Sequence, residues 1–207
     1  MISFIMPYIG DREEQLKATL ASLEAQSIKD YEVILVCHSD TNPATAFNWG
    51  VELAKGEIIC LTSPEVFNAR NNVMYMQLIP QGEYWVGEVY EVEREPMGCW
   101  DKACLKNVPR ITDGVYASCN EQDWAPWKYF LGVLHKDEYH EMDEYYTDGI
   151  AFEDRDWADR LKLKASFNPN IMGLHLTHSR LYQHNGQELR DRNREHYNGN
   201  QTKNNKY

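Results

Sequence analysis

The chain opens on an apolar run, "ISFIMPYI" at 2–9, which is interrupted by Pro7 and turns polar at Gly10-Asp11. That pattern predicts a strand followed by a loop. Over 11–27 the period changes. Leu16, Leu20 and Leu23 recur at helical spacing, acids crowd the first turn, and Asp11 stands where an N-cap would. "YEVILVC" at 31–37 predicts a second strand, apolar along almost its whole length as a strand covered on both faces is. Residues 42–56 predict a second helix with Gly56 placed to end it, and "EIICLT" at 57–62 a third strand. The order β-α-β-α-β, joined by short connections, implies right-handed crossovers and a parallel, Rossmann-like half-sheet flanked by helices.

Beyond this the pattern is less regular. Residues 72–79 have helical spacing, 83–95 alternate in part as a strand or hairpin, and 96–123 carry loop signals without a period. Residues 124–142 hold an apolar, strand-like centre and then turn polar. An apolar entry at 150 leads into a helix through 164 with Trp157 and Leu161 on one face, and 171–179 predict a further strand. Residues 199–207 are low in hydrophobicity and are expected to be mobile. No internal repeat is visible.

Composition narrows the class. With 207 residues, 43% of them hydrophobic, the chain can bury one sizeable core. No apolar run approaches the ~20 residues of a membrane span, so no membrane insertion is expected. The N-terminal run lacks a basic leader and reads as a strand, not a signal peptide. Five scattered cysteines without a C-x-x-C suggest a reducing, cytoplasmic compartment, with neither a disulfide framework nor a zinc site. The net charge of −11 disfavours non-specific nucleic-acid binding. The charge is uneven, however: 179–207 carry six Lys/Arg against three acids, a basic end on an acidic body.

Three stretches bear chemistry. The third strand ends in Ser63-Pro64-Glu65, a carboxylate at the carboxyl tip, where open α/β sheets place their ligands. Glu153, Asp154 and Asp156 put three acids in four residues at a helix start, where acids partner the helix dipole. His175 and His178 lie three apart on a strand, hence on opposite faces, and a regular strand cannot aim both at one metal. Trp124, Trp127 and Tyr129 are aromatic platforms for sugar faces or else core.

In "ISFIMPYIGDREEQLKATLASLEAQ", "YEVILV", "AFNWGVELAKGEIICLTSPEV" and "DGIAFEDRDWADRL", taken in that order and spacing, the chain resembles the family 2-type glycosyltransferases of the GT-A fold. The resemblance covers about 1–70 and 125–180. It implies one GT-A domain over 1–180, with a nucleotide-binding half at 1–70 and an acceptor-binding half at 71–180, followed by a polar, slightly basic tail at 181–207. The family's Asp-x-Asp slot here reads Ser-Pro-Glu, so Glu65 is the implied ligand of a divalent cation, Mn²⁺ or Mg²⁺. "HSR" resembles a segment of galactosyltransferase-like branches that supplies a further metal ligand; this implies His178, with His175 as competitor. The resemblance implies Asp154 as base of an inverting transfer. Glu153 and Asp156 would fix the acceptor by hydrogen bonds or orient the base, and Trp124 and Trp127 belong to the acceptor site, with Tyr145, Tyr146 and Asp148 beside it. Pro7, Tyr8 and Arg12 match the first nucleotide loop, and Arg180 would face donor phosphate. After the second strand the family's Asp-Asp-Gly-Ser is replaced by Cys37-His38-Ser39-Asp40, leaving His38 and Asp40 for the base. In the second helix Phe47 replaces an Arg, while Asn48 remains.

These features imply a metal-dependent transferase moving a sugar (hexosyl or pentosyl) from a nucleotide diphosphate sugar, UDP by default, to a hydroxyl on a glycan or small molecule. Two alternatives stand beside it. One is a non-catalytic nucleotide-sugar or carbohydrate-binding module, which the altered metal and base motifs suggest. The other is a glycosyltransferase acting on hydroxylated bases in DNA through the basic tail.

Overall fold

The computed structural model describes residues 1–10, 12–37, 42–92, 131–146, 152–176 and 186–204. The N-terminal elements form as their pattern predicts. Strand β1 (Ile2–Tyr8) leads into helix α1 (Glu13–Glu24), β2 (Tyr31–Cys37) into α2 (Pro43–Leu53), and then comes β3 (Ile58–Thr62). Asn42 caps α2 by accepting from the backbone N–H groups of Ala44 and Thr45, and Pro43 fills the first turn, where no N–H is needed. The chain continues through β4 (Val66–Asn68), α3 (Asn72–Met76), β5 (Glu83–Val92), β6 (Leu131–His135), α4 (Glu153–Arg160), β7 (Lys164–Leu176) and α5 (Gly186–Asn204).

All seven strands join one sheet in the order β2-β1-β3-β6-β5-β7-β4. β1 pairs in parallel with β2 and β3, β6 runs antiparallel to β3 and β5, and β7 is parallel to β5. The three parallel N-terminal strands therefore deliver their following loops to one sheet edge, and β4 folds back antiparallel on β7 at that edge.

The pleat sorts β1 between two cores. Ile2, Phe4 and Met6 join Leu16 and Leu23 of α1, Cys60, Val73 and Met76 on one face. Ile5 joins Ala44, Phe47 and Val51 of α2, then Ile59, Leu61, Tyr84 and Trp157 on the other. Trp157 is fully buried, edge-on to Tyr84 at 5.4 Å, and its indole N–H donates to His140 O at 2.6 Å.

Several expectations are corrected. β2 is an edge strand, mostly half-buried, because only β1 pairs with it. Helix α2 ends at Leu53, before Gly56; the latter is glycine because a Cβ there would stand 2.7 Å from Ser3 Oγ and 2.8 Å from Met1 O. Asp11 lies outside the described residues. The helix expected through 164 stops at Arg160, where Leu161 turns extended, and a strand begins at Lys164. Residues 199–204, expected to be mobile, form the last turns of α5. Its polar residues find partners across the fold: Tyr197 Oη donates to Asp159 Oδ2 at 2.5 Å, and His196 Nε2 lies 2.7 Å from Asp143 Oδ2. No helix among the described residues is long and apolar enough to cross a membrane.

Candidate functional site

The tip of β3 is built around a buried acid. A turn closed by Val66 N–H on Ser63 O at 3.2 Å carries Pro64 and Glu65 directly into β4. β4 pairs Val66 with His175, and Leu176 N–H donates to Glu65 O at 2.8 Å. This register sets the Glu65 carboxylate beside β7. Glu65 is 4% exposed. Its Oε1 accepts from Arg12 Nη1 at 2.9 Å, and His175 Nε2 lies 3.6 Å from the same oxygen. Arg12 arrives from the loop after β1, so three separate segments converge on one carboxylate at the ligand-bearing edge of the sheet.

A carboxylate oxygen and an imidazole nitrogen this close can both reach one hard-to-borderline cation, which suits Mn²⁺ or Mg²⁺ completed by phosphate oxygens and water. No group of three His, Cys, Asp or Glu side chains gathers for a metal among the described residues. Of the two candidate histidines, the fold brings His175 to Glu65; His178 lies outside the described residues. Arg12, expected in the nucleotide loop, is a partner of the acid.

The second cluster surrounds the first turn of α4. Phe152 holds a positive φ of 77°, rare for a bulky side chain, and its carbonyl accepts from Asp156 N–H at 2.8 Å. Glu153 is buried and Asp154 half-buried. Asp154 Oδ1 accepts from the Arg155 N–H at 2.8 Å. Burial raises the Tyr84 phenol pKa, and the Asp154 carboxylate within electrostatic reach adds to the effect, so Tyr84 stays protonated.

Asp156, expected at the acceptor, has partners on its own helix and on α5. It is fully buried, with Arg160 Nε donating to Oδ2 at 2.9 Å and Asn200 Nδ2 to Oδ1 at 3.3 Å. Burial and the neighbouring Asp156 raise the pKa of Tyr146 as well. Asp156 thus anchors α4 to α5, a role set by a partner far along the chain.

Asn48 is redirected too. Its Oδ1 accepts from Tyr139 Oη and from Met142 N–H, both at 2.8 Å. Its Nδ2 donates to Met142 O and Glu144 Oε1, both at 3.0 Å. The amide is saturated by the 139–144 loop and has no capacity left for a nucleotide. Pro7 and Tyr8 end β1 beside Val36 and Cys37. His38, Asp40, Trp124, Trp127, Asp148 and Arg180 lie outside the described residues. Tyr84 and the α5 residues Tyr197 and Asn200 are the participants sequence reasoning missed. Tyr84 was visible only as one apolar position of a strand, and the α5 pair only as part of a polar tail.

The strand order and the layered helices define the class: a mostly parallel α/β sheet of the GT-A fold. The chain is similar to S. aureus TarS 1-349 in complex with UDP-GlcNAc, with a TM-score of 0.61 at 11% identity, over 86% of this chain and 59% of that one. The complex of the same fragment with UDP gives a TM-score of 0.56 at 12% identity, over 84% and 60%. Against a longer S. aureus TarS chain the TM-score is 0.57 at 11% identity, and this chain spans 85% of its own length but 36% of that one. At such identity the likeness is one of fold. No protein-family model matches the sequence, and no curated protein does.

Proposed function

We propose that this chain is a metal-dependent glycosyltransferase of the family 2 type, which moves a sugar from a UDP-sugar to a hydroxyl acceptor with inversion. The observation that carries the reading is the Glu65 cluster: a buried carboxylate at the tip of β3, 3.6 Å from His175 and 2.9 Å from Arg12. The similarity to a fold that holds UDP and UDP-GlcNAc in TarS supports the donor class.

Glu65 and His175 would hold the divalent cation, and a cation there neutralises charge on the leaving diphosphate. Arg12 supplies a second positive group in the same place and binds phosphate oxygens through its planar fork. Asp154, half-buried at the start of α4, accepts the proton of the acceptor hydroxyl while its oxygen bonds to the anomeric carbon and the sugar–phosphate bond breaks. Glu153, buried beside it, orients the base in this reading. Five scattered cysteines without a C-x-x-C support a reducing setting for the chain.

The basic stretch that suggested a DNA acceptor lies partly on α5. There Arg194 Nη1 pairs with Asp191 at 3.1 Å and Arg192 stands over the Tyr145 ring. A glycan or small-molecule hydroxyl is therefore the acceptor proposed.

The test is UDP release from a panel of UDP-sugars with Mn²⁺, comparing the native chain with Asp154→Asn. The expected result is release from at least one donor, falling ~10²–10⁴-fold in the variant while UDP still binds. UDP binding without turnover of any donor would instead establish the binding-module alternative.

A further inference from the structure

The turn that presents Asp154 is held from outside by the C-terminal helix. Tyr197 of α5 is 9% exposed, and it meets α4 at Phe152, Arg155 and Asp159. Those three positions form one stripe at helical spacing. The Tyr197 ring stacks on Phe152 with centroids 5.4 Å apart and planes at 30°. The Arg155 guanidinium carbon lies 5.2 Å from the centroid of the same ring, and the hydroxyl donates to Asp159 Oδ2 at 2.5 Å. Gln201, one turn further along α5, donates to the same Asp159 oxygen at 3.2 Å.

Phe152 is the only non-glycine residue with positive φ among the described residues. A bulky side chain persists in such a conformation only where its surroundings over-determine it. Here a determinant is visible: the Tyr197 ring packs on the strained residue at a tilt of 30°. Asp154 follows two positions later, so its carboxylate sits where this turn places it.

We propose that Tyr197 is a positioning residue for Asp154: through its stack on Phe152 and its bond to Asp159, it holds the strained turn that aims the base. This rests on the glycosyltransferase reading. It also makes α5 part of the acceptor side of the site. A displacement of about 1 Å at a reacting group costs up to ~10²-fold in rate, so loosening this turn slows transfer without touching the donor pocket.

The experiment uses the full chain and three variants: Tyr197→Phe, Tyr197→Ala, and Tyr197→Ala combined with Phe152→Gly. Three quantities are read: kcat and KM for the active UDP-sugar, Kd for UDP by calorimetry, and hydrogen exchange at the amides of 153–156. Tyr197→Ala is expected to lower kcat ~10–100-fold, leave the UDP Kd within ~2-fold, and speed exchange at 153–156. Tyr197→Phe keeps the stack and stays within ~5-fold of the native kcat. Glycine adopts positive φ without strain, so the double variant regains part of the lost kcat. Three results would overturn the proposal: unchanged kcat and exchange in Tyr197→Ala, parallel loss of kcat and UDP affinity, or no recovery in the double variant. If the native chain turns over no donor, the function reading fails by itself, and the exchange data still decide whether Tyr197 holds the turn.

Discussion

Replacing Asn48 by alanine separates two roles that the sequence could not. Three of its hydrogen bonds, to Tyr139 Oη, Met142 N and Met142 O, are part-buried at 2.8, 2.8 and 3.0 Å; the fourth, to Glu144, is exposed. Counting about 1 kcal/mol for each part-buried bond and nothing for the exposed one puts the loss near ~3 kcal/mol. In a chain of this size that lowers Tm by about 6–12 °C. Urea denaturation followed by Trp fluorescence is the assay, since Trp157 lies against Tyr139, the clamped residue, at 5.7 Å. UDP binding measured in parallel is expected to stay within ~2-fold of native. A variant with native stability and UDP affinity weakened tenfold or more would refute the clamp and restore Asn48 to the nucleotide.

Two further outcomes follow from the geometry. Gly56→Ala forces a methyl to within 2.8 Å of the backbone atoms Met1 O and Ser3 N, neither a flexible side-chain end, and should cost about 1–3 kcal/mol in the same denaturation experiment. Burial would raise the Asp143 pKa, but bonds from His196, the Tyr145 N–H and Asn200 outweigh it and hold the carboxyl below its ordinary value. A carboxylate with a lowered folded-state pKa contributes stability above its unfolded pKa and loses it as pH falls through the folded one. Acid unfolding from pH 5 to 3 should therefore be shallower in Asp143→Asn than in the native chain, and an unchanged slope would contradict the assignment.

The N-terminal third was legible because its information is local. The alternation of β1, the leucine spacing of α1 and the uniform apolarity of β3 each fix an element without reference to distant residues. Glu65 was legible for the same reason, as an acid at the end of an apolar strand. His175 was readable only as one of a pair, and its place beside Glu65 needed the pairing of β4 with β7. The partners of Asp156 and Asn48 could not be read because Asn200 and Met142 lie 44 and 94 positions away. Helix α5 was missed altogether. Its face is polar, and the docking that orders it runs through Tyr197, His196 and Asn200 rather than through an apolar stripe.

The central claim is that Glu65 belongs to a cation-dependent donor site. The most direct measurement is calorimetric titration of UDP into the native chain and into Glu65→Ala, each with Mn²⁺ and with EDTA. The account predicts binding in the native chain with Mn²⁺ that weakens at least tenfold in EDTA and is lost in the variant. UDP binding that is indifferent both to Mn²⁺ and to Glu65 would contradict it and leave the carboxylate as a structural partner of Arg12 and His175.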